Sequence, residues 1–193
     1  IMAPSKGGNP KNIFFLTCDA FGVLPPIAKL DRAQAMKYFL LGYTAKVAGT
    51  EAGVVEPQMT FSSCFGAPFL PLAPAHYAKM LGEKMEEHNT NVWLVNTGWT
   101  GGAYGVGSRI KLSYTRALIQ AVLKGGLAEL PFRKENSFGL NIPVLCPKVP
   151  NSILDPKNSW EDKTAYNATA KKLLAAFEEN YTKHHAEEVA EVA

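Results

Sequence analysis

The chain reads as an α/β protein. Two compact apolar runs of strand length, NIFFLTC (12–18) and NVWLVN (91–96), alternate with longer stretches whose apolar residues recur at helical spacing. Each run empties into a loop rich in glycine or proline, and each loop leads on to a helix-like stretch. Strand, loop and helix in that order define an α/β architecture.

The first strand ends in DAFGVLPP, where Gly22 and the Pro25-Pro26 pair stop regular structure and force a loop. A helix is predicted from Asp31, because Asp31 and Gln34 have the spacing of a capping box. Met36, Phe39, Leu40, Tyr43 and Val47 form its expected buried stripe. From 49 to 66 the helical period is lost and Gly, Thr, Ser and Pro accumulate, which predicts a mobile surface segment. A second helix is expected over 74–88, with Tyr77, Met80, Leu81 and Met85 inward. The strand 91–96 feeds the exposed glycine-rich loop TGWTGGAYGVGSRIKLS. A helix over 114–123 then buries Leu118, Ile119, Val122 and Leu123 and stops at Gly125. Residues 137–149 read as strand or loop, and a last helix over 163–183 buries Tyr166, Ala170, Leu173, Leu174, Phe177 and Tyr181.

Composition narrows the class. With 193 residues, 47% hydrophobic and 19% charged, the chain can bury the core of one ordinary domain and is not a disordered tail. No apolar run approaches the ~18 residues that cross a bilayer. A net charge of +3 is too small to imply nucleic acid. Cys18, Cys64 and Cys146 are odd in number and widely spaced, which fits reduced thiols rather than a zinc site.

Chemistry concentrates between 92 and 123. Gly102-x4-Gly107-Ser108-Arg109 has the glycine spacing of a phosphate-cradling loop but lacks the Lys-Ser/Thr that completes one. Taken alone it is a flexible glycine turn or a nucleotide contact loop. Charge placement adds weight to the second: 88–128 holds Arg109, Lys111, Arg116 and Lys124 and no Asp or Glu. Guanidinium forks match phosphate oxygens, although cations toward a helix C-terminus, Lys124 above all, also fit an ordinary solvated face. In 49–66, hydroxyls at Thr50, Thr60, Ser62 and Ser63 with carboxylates at Glu51 and Glu56 suit either a water-excluding lid or an ordinary long loop. Asp19 could serve as base or metal ligand, or cap a neighbouring turn. His76 and His88 lack ligand spacing, Cys64 reads as an inert thiol unless the lid exposes it as a reactive one, and Trp93, Trp99 and Trp160 read as packing residues.

The runs FLTCDAFGVLPP (15–26), GYTAKVAGTEAGVVEPQMTFSSCFGAPFLPL (42–72), VWLVNTGWTGG (92–102), GSRIKLSYTRALI (107–119) and ILDPKNSW (153–160) closely resemble ATP-dependent phosphoenolpyruvate carboxykinase. The resemblance implies that 1–193 is part of that family's C-terminal mononucleotide-binding domain, with 49–66 its mobile lid. It implies an enzyme of gluconeogenesis that converts oxaloacetate and ATP to phosphoenolpyruvate, CO2 and ADP with Mg²⁺ and Mn²⁺. Carried over residue by residue, Arg109 and Ile110 match the family's pair beside the nucleotide base and sugar, and Thr115 matches its nucleotide-contacting Thr. The lid carries Gly49, Thr50, Glu51, Gly53, Glu56, Thr60 and Ser62; Ala52 departs from relatives with a longer residue there. The family's P-loop, its metal ligands and its N-terminal domain match nothing here, so no catalytic or metal-binding residue is assigned and this portion alone is expected to be inactive. The cytoplasm is the default location, no nucleic-acid or membrane partner is expected, and the resemblance is to a family of monomers and larger assemblies. The competing reading is a stand-alone, non-catalytic nucleotide-binding or interaction fragment.

Overall fold

The segment NVWLVN becomes the centre of a sheet because every one of its side chains after the first is buried. The structure, a computed structural model, describes residues 5–47 and 52–190, without the side chains of 183–190. In chain order it runs β1 (Asn12–Thr17), β2 (Ile27–Leu30), α1 (Arg32–Leu41), β3 (Tyr43–Lys46), β4 (Gln58–Phe61) and α2 (Pro74–His88). It continues through β5 (Asn91–Asn96), β6 (Trp99–Thr100), β7 (Ser108–Arg109), α3 (Leu112–Leu123), β8 (Phe132–Lys134) and β9 (Asn141–Pro143). The short helices α4 (Asn151–Leu154) and α5 (Pro156–Ser159) precede the long α6 (Lys163–Ala190).

The main sheet has the order β1-β5-β2-β9-β8, and β1 and β5 are parallel while the remaining pairs are antiparallel. Side chains of β5 alternate between two cores, as the period of a strand requires. Val92 and Leu94 join Tyr38 and Leu41 of α1 and Tyr166 and Phe177 of α6. Trp93 and Val95 join Leu118 and Val122 of α3 and Leu154 of α4. The sheet is therefore sandwiched, and the mixed α/β class holds.

Several local expectations need correction. The capping box is complete, with Gln34 N donating to Asp31 Oδ1 at 2.8 Å and Asp31 N to Gln34 Oε1 at 3.2 Å. The helix it starts ends at Gly42, whose φ of 50° is left-handed, and a Cβ there would lie 1.7 Å from the Ser62 carbonyl oxygen. Tyr43 and Val47 therefore leave the helix: Tyr43 is buried in β3, and the helix itself buries Ala35, Tyr38, Leu40 and Leu41. In α2 the inward face is Ala78, Gly82 and Met85, and Met80 is 45% exposed. Small residues let α1 approach there, which a count of large apolar side chains misses. Leu123, at the end of α3, is likewise exposed. The strand β2 follows Pro26 directly and is only four residues long, too short to show a period; its partners β5 and β9 make it a strand. Part of 49–66 is also regular, since β4 pairs with β3 from Tyr43↔Phe61 to Lys46↔Gln58.

Candidate functional site

Parallel β1 and β5 deliver their following loops to the same end of the sheet, the usual location of ligand sites in α/β folds. Two buried side chains at these strand ends organise the loops. Asn96 accepts from Asp19 N at 3.0 Å and Gly98 N at 2.8 Å, and its amide donates to the Leu24 carbonyl at 3.0 Å. Asp19 Oδ1 accepts from Phe21 N (2.9 Å) and the Tyr43 hydroxyl (3.0 Å), and Oδ2 from Val23 N (2.7 Å) and Leu24 N (2.8 Å). Burial pushes the Asp19 carboxyl above the ordinary carboxylate range, against the pull of these donors. Of its alternatives, Asp19 is the turn cap: both oxygens are engaged.

The two loops touch backbone to backbone. A Cβ on Gly22, at φ 72°, would lie 2.1 Å from the Gly102 carbonyl oxygen, and one on Gly107 would lie 2.3 Å from the same atom. The stem of the glycine loop is therefore closely fitted. The tip is exposed, with Val106 84% accessible, and so are Ser108 and Arg109 on the returning side. The loop expected to be exposed is so at its tip and returning side, and buried at Gly98, Trp99 and Gly102.

Arg109 lies on β7, paired with Trp99 of β6. Its Nε donates to the Thr97 carbonyl at 3.1 Å, and its guanidinium carbon sits 5.4 Å from the centre of the Trp99 ring. Tyr104 supports that ring edge-on at 5.6 Å, and Cys18 Sγ lies 4.0 Å from a terminal nitrogen of Arg109. Burial raises the Cys18 thiol above its usual pKa, and the Arg109 charge partly opposes the rise. Among the described residues Arg109 has no carboxylate partner. The guanidinium is thus fixed by neutral groups, and the residue is exposed to solvent.

Ile110 is buried, and its N–H donates to the Gly98 carbonyl at 2.8 Å. Thr115 is buried in the first turns of α3, and its hydroxyl makes no hydrogen bond among the described residues. Lys111 sits 5.7 Å over the Tyr114 ring. Lys124 is set apart by the length of α3, about 18 Å for its 12 residues. The cationic segment is therefore not one patch.

The lid positions divide. Gly49, Thr50 and Glu51 lie outside the described residues, while Gly53 and Glu56 are exposed. Thr60 pairs with Thr44 in the β3–β4 hairpin, and Ser62 Oγ accepts from Ala67 N at 3.3 Å. The hairpin and Ala67–Pro68 enclose a cleft of about 590 Å³, open to solvent and lined by Thr44, Lys46, Thr60 and Ser62.

Three contributors carry no local signal in the sequence. Trp99 is the platform under Arg109 as well as a packing residue, and only the β6–β7 pairing shows it. Ser159 and Trp160 reach the loops from far along the chain, at Gly101 N and the Gly22 carbonyl.

Fold and site together define an α/β domain with a fixed, uncompensated cation at the shared end of two parallel strands. The family model described as phosphoenolpyruvate carboxykinase, in its ATP-dependent form, matches residues 1–152. The ATP-dependent phosphoenolpyruvate carboxykinase of Caldanaerobacter subterraneus is 62% identical over 92% of this chain and 34% of its own length. That of Geotalea uraniireducens is 58% identical over 100% of this chain and 36% of its own. That of Christiangramia forsetii is 59% identical over 95% of this chain and 34% of its own. The chain belongs to the ATP-dependent phosphoenolpyruvate carboxykinase family, and it spans about a third of the length of these relatives.

Proposed function

We propose that this chain is the C-terminal portion of an enzyme that decarboxylates and phosphorylates oxaloacetate with ATP, giving phosphoenolpyruvate, CO2 and ADP. Its part is to hold the nucleotide and to close over it. The observation that carries the reading is Arg109: a guanidinium held by a carbonyl and an aromatic face, with no neighbouring carboxylate, suits polyphosphate or a nucleotide. The Thr115 hydroxyl has a hydrogen bond to give to a ligand. Residues 49–66 serve as the lid, whose role is to exclude water from a reaction that forms a reactive enolate.

The metals of the family do not fit the described residues, among which no three His, Cys, Asp or Glu side chains come together. Asp19, the buried carboxylate at the strand end, already accepts four hydrogen bonds. We assign the metal ligands, the phosphate-cradling P-loop and the groups that hold oxaloacetate to the rest of the enzyme. Among the described residues no helix is long and apolar enough to cross a membrane. On the family membership alone we propose a cytoplasmic location.

The test is ADP release by the complete protein with and without oxaloacetate, with phosphoenolpyruvate measured alongside. Equal release in both arms, or ADP without phosphoenolpyruvate, overturns the reading.

A further inference from the structure

Ser159 and Trp160 lie beyond the part matched by the family model, yet they grip both loops of the site. Ser159 spends its single hydroxyl proton on the Pro156 carbonyl at 2.7 Å. With Thr100 Oγ1, 2.9 Å away, it is therefore the acceptor, and it accepts Gly101 N–H as well at 3.1 Å. The next residue, Trp160, donates from Nε1 to the Gly22 carbonyl at 2.7 Å. Consecutive side chains thus hold the two loops on either side of the point where Gly22 and Gly102 meet without room for a Cβ.

This grip is itself braced. Lys163 Nζ donates to the carbonyls of Lys157 (2.7 Å), Asn158 (3.2 Å) and Trp160. Asp155 caps Lys157 N at 3.0 Å and pairs with Arg133. Thr100, on which Ser159 acts, adjoins Trp99 in β6, and Trp99 lies under the Arg109 guanidinium. A displacement of Thr100 and Gly101 is transmitted through one ribbon of two residue pairs to Arg109.

We propose that Ser159 is a positioning residue for Arg109, with Trp160 and Lys163 fixing the turn that presents it. The inference rests on Arg109 contacting the nucleotide. Removing the Ser159 hydroxyl leaves Gly101 N–H and Thr100 Oγ1 without their partner and lets the ribbon, and the guanidinium on it, move.

The test is calorimetric ATP binding by the complete protein, with kcat and thermal unfolding measured alongside. Ser159→Ala is expected to weaken ATP binding by about fivefold while kcat at saturating ATP stays within about twofold. Ser159→Thr, which keeps the hydroxyl, is expected to restore affinity. In an Arg109→Ala background, Ser159→Ala is expected to add nothing further, because the pair acts through one side chain. A lower unfolding temperature with unchanged ATP affinity makes Ser159 a purely structural residue and overturns the proposal. So does a Ser159→Ala effect that persists in full without Arg109. If Arg109→Ala alone leaves ATP affinity unchanged, the nucleotide role of Arg109 fails and the positioning role falls with it. Full affinity in Arg109→Ala thus marks failure of the nucleotide contact, whereas reduced affinity in Arg109→Ala with full affinity in Ser159→Ala marks failure of the positioning role alone.

Discussion

Asp19→Ala should unlock the loop that follows β1. The carboxylate has no solvent exposure and takes Val23 N–H and Leu24 N–H on one oxygen, Phe21 N–H and the Tyr43 hydroxyl on the other. Val23 and Leu24 are themselves buried, so water cannot replace the lost acceptor without opening the loop. Two buried donors left unsatisfied cost about 2–6 kcal/mol, and we take about 4 kcal/mol as the working value. Hydrogen exchange reads this locally: the amides of Val23 and Leu24 should exchange about a thousandfold faster, at 1.4 kcal/mol per factor of ten. Asp19→Asn keeps one acceptor oxygen and should lose less. Segments in α6 remote from the loop serve as internal control. Unchanged protection at Val23 and Leu24 in Asp19→Ala would refute the assignment of Asp19 as the organiser of this loop.

Gly22→Ala and Gly82→Ala should differ sharply. The first needs a left-handed φ and meets the Gly102 carbonyl at 2.1 Å, so it should cost several kcal/mol and weaken nucleotide binding. The nearest atoms to the second belong to the flexible Met36 and Arg32 side chains, and the roughly 1 kcal/mol gain in helix propensity should keep unfolding within about 1 kcal/mol of the parent. At pH 8 a thiol reagent should modify Cys64 well before Cys18 and Cys146. Burial raises the latter two thiols, so less of each is thiolate at that pH, and raising the pH should narrow the gap. Limited proteolysis should cut between 49 and 66, and ATP with oxalate should slow it; equal rates would mark an ordinary loop.

Sequence predicts structure where one element dictates its own state. The run 92–95 is apolar throughout, Asp31 and Gln34 cap each other within four residues, and the last helix repeats its buried side chains from Tyr166 to Phe177. It fails where partners decide. Ile27–Leu30 is a strand because β5 and β9 lie beside it, and Gly82 faces inward because α1 needs the space. The site divides the same way. An acid-free cationic stretch points to Arg109, whereas the Trp99 ring, the Thr97 carbonyl and the Ser159 hydroxyl that hold its surroundings come together only in three dimensions. Charge counting along the chain also overstates the patch, because α3 carries Lys124 away from Arg109.

The central claim is that Arg109 is a preset nucleotide contact, and ATP affinity of Arg109→Ala in the complete protein tests it most directly. Loss of a charge-assisted contact predicts binding about 10- to 100-fold weaker, with Arg109→Lys intermediate because its ammonium cannot both stack on Trp99 and present a fork. Affinity for ATP equal to that of the parent protein would contradict the account.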